Sequence, residues 1–236
     1  MLRWPGSAGS RSRLLIALGT TLAFALAAWF ARGVSASGAL AGMSIAFVMA
    51  ASTMKLFWLL LVVFAVTLGA TRLGRSRKER LHVAEYRKGR SAAQVMANLG
   101  IAGFIVAFAP PAWRLLALAA MAELAADTSS SETGQAFPGR TLLITTLKPI
   151  APGIDGGISF NGTLAAVVAS GIIALTARVL GLATTHQAAV IAACGTLGML
   201  IDSILGAVLE RRGYLTNDLV NLLGTASAAG IAWLLL

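Results

Sequence analysis

Eight apolar segments, near 14–31, 34–53, 56–71, 92–109, 112–126, 160–181, 187–209 and 218–236, follow one another through this chain. A helix needs roughly 17–25 apolar residues to cross a bilayer, and a backbone in lipid must satisfy its own hydrogen bonds. The fold class is therefore all-α: a polytopic integral membrane bundle of about 7–8 transmembrane helices. The bundle takes up residues 1–236 as a single transmembrane domain, and 57% hydrophobic against 12% charged residues agrees with that class. The fifth segment is short, and Pro110 and Pro111 part it from the fourth as a tight break. The first begins after Arg3, Arg11 and Arg13, like a signal peptide, but it is long enough to span and is read as a retained helix. Ser35, Ser37, Gly38, Gly42 and Ser44 suit the second to close packing, and the Gly38–Gly42 spacing is too common to argue dimerisation.

Charge placement orients the bundle. The net charge of +10 sits mostly in short loops beside apolar runs, the pattern of the positive-inside rule, so a nucleic-acid partner is not indicated. Residues 72–90 carry eight Lys or Arg against Glu79 and Glu85, and are expected to be cytoplasmic. Counting spans from there places 127–159 and 210–217 on the same side, with the joins near 110 and 182–186 opposite. The count also puts the N-terminus outside, against its three arginines; a re-entrant early segment or the stronger 72–90 signal would resolve this. Cys194, the single cysteine, reads as a packing residue and permits no intrachain disulfide. His82 reads as a loop residue and His186 as a helix-end residue, with no zinc or haem pattern.

Seven of the nine acidic residues then gather on one side: Glu123, Asp127, Glu132, Asp155, Asp202, Glu210 and Asp218. Acids in or beside a bilayer are costly and usually face a bundle interior, a partner or an ion. Three stretches hold them. In ELAADTSSSETG, residues 123–134, Glu123 and Asp127 share a helix face, and the following hydroxyls and Glu132 supply the oxygen ligands Mg²⁺ prefers. The plainer alternative is a helix end running into a polar loop. In KPIAPGIDGGISFNGT, residues 148–163, Lys148 and four glycines accompany Asp155, Ser159, Asn161 and Thr163. Glycines let backbone amides approach an anion and Lys is a point charge for phosphate, although the Walker order is missing.

In IDSILGAVLERRGYLTNDLVN, residues 201–221, Asp202, Gly206 and Glu210 share a face, with Ser203 beside it. Asp202 lies about two turns inside the apolar run and needs a partner such as a metal, Lys148 or Asn98. Asn217 is expected to cap the last helix, which gives Asp218 a plain structural reading, and Asn221 shares the face of Asn217.

QVMANLG around Asn98, the ADT-x-x-x-E-x-G core within LAADTSSSETG, DGGISFNGT, and GMLIDSILGAVLE followed by NDLVN occur here in one order. At these pieces the chain resembles a membrane family that includes transmembrane protein nineteen and the plant phytyl-phosphate kinase. The likeness covers roughly residues 85–225; the first 70 residues are similar in hydropathy alone. The family in turn is distantly similar to CTP-dependent kinases of phytol, dolichol and diacylglycerol, whose order of Asp, Lys and a Gly-Ser loop matches Asp127, Thr128, Gly134, Lys148, Gly156, Gly157 and Ser159. Ser129, Ser130 and Ser131 depart from the bulkier residues of relatives.

The resemblance implies phosphoryl transfer from CTP, or another nucleoside triphosphate, to an isoprenyl monophosphate, giving the diphosphate. It implies Asp127, Lys148 and Asp202 as catalytic residues, and Mg²⁺ on Asp127 and Asp202 with Glu123 or Glu132. Nucleotide would meet Thr128, Lys148, Gly156, Gly157, Ser159, Gly162 and Thr163. Asn98, Asp155, Ser203, Glu210, Asn217, Asp218 and Asn221 are further candidates. The partners are then nucleotide, membrane lipid and isoprenoid, in a bacterial inner membrane with the site facing the cytoplasm; homo-oligomerisation is left open. Two other readings share these residues: a transporter for a cation or small anion, and an isoprenoid alcohol kinase or cytidylyltransferase.

Overall fold

The computed structural model describes residues 8–80, 89–137 and 139–235; His82 and Glu85 fall outside them. The helices are α1 (Ala8–Phe30), α2 (Ala36–Ser52), α3 (Met54–Arg72), α4 (Arg75–Arg80), α5 (Ala92–Phe108), α6 (Arg114–Ala136), α7 (Phe160–Val179), α8 (Thr185–Leu205) and α9 (Asn217–Leu234). A π turn, Gly206–Glu210, extends α8, and β1 (Leu142–Leu143) pairs antiparallel with β2 (Gly157–Ile158). The chain is an integral membrane helical protein. Arg11–Phe30, Met54–Arg72, Phe160–Val179 and Thr185–Glu210 are long and apolar enough to cross a membrane, and Ala36–Ser52 and Ala92–Phe108 are shorter apolar helices.

Helix α6 is the axis of the bundle. It packs against α3, α5, α7, α8 and α9, and every residue from Leu115 to Ala126 is buried. A helix buried all round needs an apolar surface on every side, and the LLALAAMA run supplies it with side chains small enough for close neighbours. Around it α3, α7, α8, α9 and α5 contact one another in succession, and α2 bridges α5 back to α3. Helix α1 lies on α2, with Phe24 set edge-on to Phe57 and Phe64 of α3 at centroid distances of 5.8 and 5.2 Å.

The ends of α1 and α3 meet where Arg72 Nη2 donates to Ala31 O at 2.6 Å. The α1–α2 link is clipped to the start of α5: Ser35 N donates to Arg90 O and Arg90 N to Gly33 O, at 2.9 and 3.1 Å. Helices α1, α2 and α3 thus run to and fro without a re-entrant segment, so the start of α1 lies at the opposite end of the bundle from Arg72. Gly38 has a local purpose, because a Cβ there would stand 2.1 Å from Arg90 O. The Gly38–Gly42 spacing brings α2 onto the α5 entry of the same chain.

The fifth expected span, 112–126, is corrected. Helix α6 continues to Ala136, so 127–136 is helix and not loop. Ser and Thr weaken a helix by offering its backbone other bonds, yet here α7 packs on this turn, with a Cβ on Gly162 only 2.8 Å from Ser130 O. The last helix is capped by Thr216, whose hydroxyl accepts from Leu219 N at 3.4 Å, and not by Asn217.

Candidate active site

Five helix ends and one hairpin enclose a polar cleft of about 350 Å³. The second half of α6 contributes Asp127, Thr128, Ser130, Ser131 and Gly134. The end of α8 and its π turn contribute Asp202, Ser203, Gly206 and Glu210, and the first turns of α9 contribute Asn217 and Asn221. The 139–159 hairpin contributes Asp155, Gly156, Gly157 and Ser159, while the start of α5 adds Arg90, Gln94 and Asn98. The cleft therefore stands at the amino ends of α5, α7 and α9, where helix dipoles favour anions, and at the carboxyl ends of α6 and α8, where they favour cations.

The acids act on one another. Asp202 lies within electrostatic reach of Asp127 and Glu210, and Glu210 within reach of Asp155 and Asp127. Asp202 Oδ2 is buried with no hydrogen-bond partner among the described residues. Neither expected protein partner reaches it: Asn98 gives its amide to Gln94 O at 2.7 Å, and Lys148 is exposed, outside the cleft lining. The π turn sets Glu210: a Cβ on Gly206 would lie 3.7 Å from Glu210 Oε2 and 3.2 Å from Gly156 N. Gly156, at φ +75°, could carry no side chain, because a Cβ would meet Ala207 at 2.3 Å. That contact seats the hairpin on the end of α8.

Several expected site residues have other work. Lys148 closes the hairpin turn, accepting from Leu143 N through its carbonyl at 2.9 Å, and is replaced in the cleft by Arg90. Arg90 is the one cation in the lining among the described residues, and its Nη2 donates to Thr128 Oγ1 at 3.3 Å. Ser159 caps α7, accepting from Gly162 N at 3.1 Å, and Thr163 N bonds Ser159 O at 2.8 Å. Gly162 and Thr163 are thereby bound into α7 and lie outside the lining, as does Asp218 in the first turn of α9.

Glu132 borders the cleft but is held by Lys78 Nζ at 2.5 Å. Lys78 is only 1% exposed and also donates to Thr71 O at 2.7 Å, tying α3, α4 and α6 together. Glu123 sits one turn below Asp127, outside the lining, with both carboxylate oxygens buried and without hydrogen-bond partners among the described residues.

Arg90, Gln94 and Lys78 were missed as site and anchoring residues. Arg90 and Lys78 belong to a run of like charges whose sequence marks only orientation. A usable signal did exist for Arg90, since Ser91 and Gln94 form a capping box that fixes where α5 begins and so what precedes it.

No three Asp, Glu, His or Cys gather into a ready metal cage among the described residues. Mg²⁺ does not require one, being held commonly by one or two carboxylates with water and substrate phosphates. Asp127 beside Asp202, whose Oδ2 is buried and unpartnered, fits that pattern.

A family model described as integral membrane protein DUF92 matches residues 19–229. This chain belongs to that family. The DUF92 match extends upstream of the motif-bearing region into α1, α2 and α3, beyond likeness in hydropathy. Among the similar proteins are protein VTE6, chloroplastic, of Arabidopsis thaliana, 31% identical over 97% of this chain and 71% of its own length. Protein PGR of the same plant is 30% identical over 86% of this chain and 81% of its own length. An uncharacterized membrane protein of Synechocystis is 31% identical over 75% of this chain and 72% of its own length. No solved structure matches the chain.

Proposed function

We propose that this DUF92 protein is a membrane-embedded kinase that passes the terminal phosphoryl group of CTP, or another nucleoside triphosphate, to an isoprenyl monophosphate. The observation that carries the reading is the pairing of Asp127 and the unpartnered Asp202 Oδ2 with Arg90 across one cleft. Phosphoryl transfer asks a protein mainly for positioning and for neutralisation of charge. Here carboxylates and helix carboxyl ends suit a cation, while Arg90 and helix amino ends suit phosphates. Mg²⁺ would be held by Asp127 and Asp202 and, when bound, would neutralise charge on the phosphates. Glu210 and Asp155 would add negative charge beside it.

An acceptor oxygen of the monophosphate forms the new bond to phosphorus as the bond from that phosphorus to the nucleoside diphosphate breaks. The acceptor is already ionised, so the cleft needs no strong base. The resemblance to phytyl-phosphate kinase, and the likeness to VTE6 over nearly the whole chain, support this class of acceptor. The cations of residues 72–90, of which Arg90 lines the cleft and Lys78 holds Glu132 at its border, support a cytoplasmic site. The test is purified protein with Mg²⁺, labelled CTP, ATP and GTP, and a panel of prenyl monophosphates and alcohols. Label should appear in a prenyl diphosphate; label only in a monophosphate product would make it an alcohol kinase.

One observation favours a second reading. Glu123 continues the acids below the cleft floor, and the kinase reading has no step for it. A cation transporter would use such a descent. Ion uptake into proteoliposomes, with no nucleotide turnover, would establish that reading.

A further inference from the structure

A second cavity, of about 180 Å³, lies between α1, α2, α3 and α5. One water needs roughly 10–15 Å³ of such space, so a ligand or lipid is the natural occupant. Its inner wall is apolar, with Phe24, Ala39, Gly42, Leu60, Val63 and Phe64. Its mouth is different: Arg32, Arg72, Arg75 and Arg90 line it, with no acid among the described lining residues, and Arg75 is paired with Glu79 just outside it at 3.0 Å. The two cavities share Arg90, Gln94 and Asn98. Along α3, Leu60 and Arg72 are separated by roughly 18 Å of helix at 1.5 Å per residue, room for a chain of several isoprene units.

We propose that this groove binds the acceptor, a single-chain lipid monophosphate, with its hydrocarbon between α1, α2, α3 and α5 and its phosphate at the arginine mouth. The proposal rests on the kinase reading for the identity of the lipid. Charge selects the head group, since among the described residues the arginines at the mouth outnumber Glu79, which favours a phosphate over an alcohol, and Arg binds phosphate oxygens in pairs. Shape selects the tail, since small residues on α2 leave space that a branched chain fills. The shared wall delivers the head group to the cleft: a phosphate at Arg90 borders both cavities, so the acceptor reaches the carboxylate site without leaving its groove.

The test uses the full chain in lipid nanodiscs and an isoprenyl monophosphate carrying a photoreactive diazirine near its tail end. Labelled peptides should come from α2 and α3, around 39–43 and 60–68. Unlabelled isoprenyl monophosphate should abolish the labelling, and the corresponding alcohol should compete about tenfold less well. Gly42→Leu should lower labelling about tenfold by filling the groove. Gly42→Ala should not, because its Cβ meets only Val95 Cγ1, at 3.9 Å.

Labelling of outward residues such as Phe104 and Leu175 instead would overturn the proposal. Equal competition by phosphatidylglycerol would overturn it too, making the groove a site for bilayer lipid. Groove labelling without phosphoryl transfer to any lipid would sink the kinase reading and keep the groove. Transfer with labelling elsewhere would sink the groove alone.

Discussion

Glu123 and Asp202 converge on one bare stretch of backbone: a Cβ on Gly224 would stand 2.6 Å from Glu123 Oε1 and 2.9 Å from Asp202 Oδ2. Helix α9 thus makes room for two acids from two other helices. Gly224→Ala is expected to lose about 1–3 kcal/mol, the usual cost of overpacking, although alanine is the better helix former. Adding Glu123→Ala should recover part of that loss, because Asp202 still crowds the site. Thermal unfolding in detergent measures both; a stabilised Gly224→Ala would show that the acids move aside freely.

Asp127→Asn and Asp202→Asn should each cut phosphoryl transfer by about a hundredfold or more, the scale seen when one preorganised electrostatic group is removed. Both variants should insert and purify normally. The check is initial rate across a Mg²⁺ titration, and near-normal turnover in either variant would remove that residue from the metal site.

Arg90 and Lys148 should separate cleanly. A ligand that binds only the folded state adds about 2.7 kcal/mol at a hundredfold excess over its dissociation constant. With CTP and Mg²⁺, Lys148→Ala should keep nearly all of the thermal shift and Arg90→Gln should lose most of it. Arg90→Lys should fall between, keeping the charge without the fork. A shift lost with Lys148 and kept without Arg90 would reverse the assignment.

Lys78→Met should cost about 3–5 kcal/mol, because it leaves the Glu132 carboxylate buried and unpaired. Lys78→Met with Glu132→Leu should recover most of this, since paired apolar replacement of a buried ion pair is often neutral. Urea or thermal unfolding of the single and double variants closes the cycle.

Cysteines at Ser76 and Ser131, both exposed, should be labelled from one side of the membrane, and one at exposed His186 from the other. Cys194, being buried, is best replaced by Ala for this test. Labelling of Ser76 and Ser131 from opposite sides would split the cleft.

The apolar helices were legible because length and hydropathy set them: 160–181 became the span Phe160–Val179, and 92–109 became Ala92–Phe108, a shorter apolar helix. The acids of the cleft were legible too, since a carboxylate near lipid needs a reason. Residues 127–136 were not, because a Ser-Thr run reads as loop until α7 is packed against it. Lys148 carried a family pattern, yet the short hairpin leaves it exposed at the turn. Lys78 and Arg90 looked like their neighbours in a basic run; what sets them apart is contact with Glu132 and Thr128, tens of residues away.

The enclosure of α6 bears on which changes of length this chain can tolerate. One residue inserted before Glu123 would rotate Glu123, Asp127 and Thr128 by roughly 100° about the helix axis, and no face of α6 is free to receive them. Deletions there meet the same barrier. The exposed turn near 145–148 is under no such constraint, because it can grow outward while β1 and β2 keep their pairing. Homologues of this chain should therefore vary in length at that turn and keep α6 at constant spacing from Leu115 to Glu132.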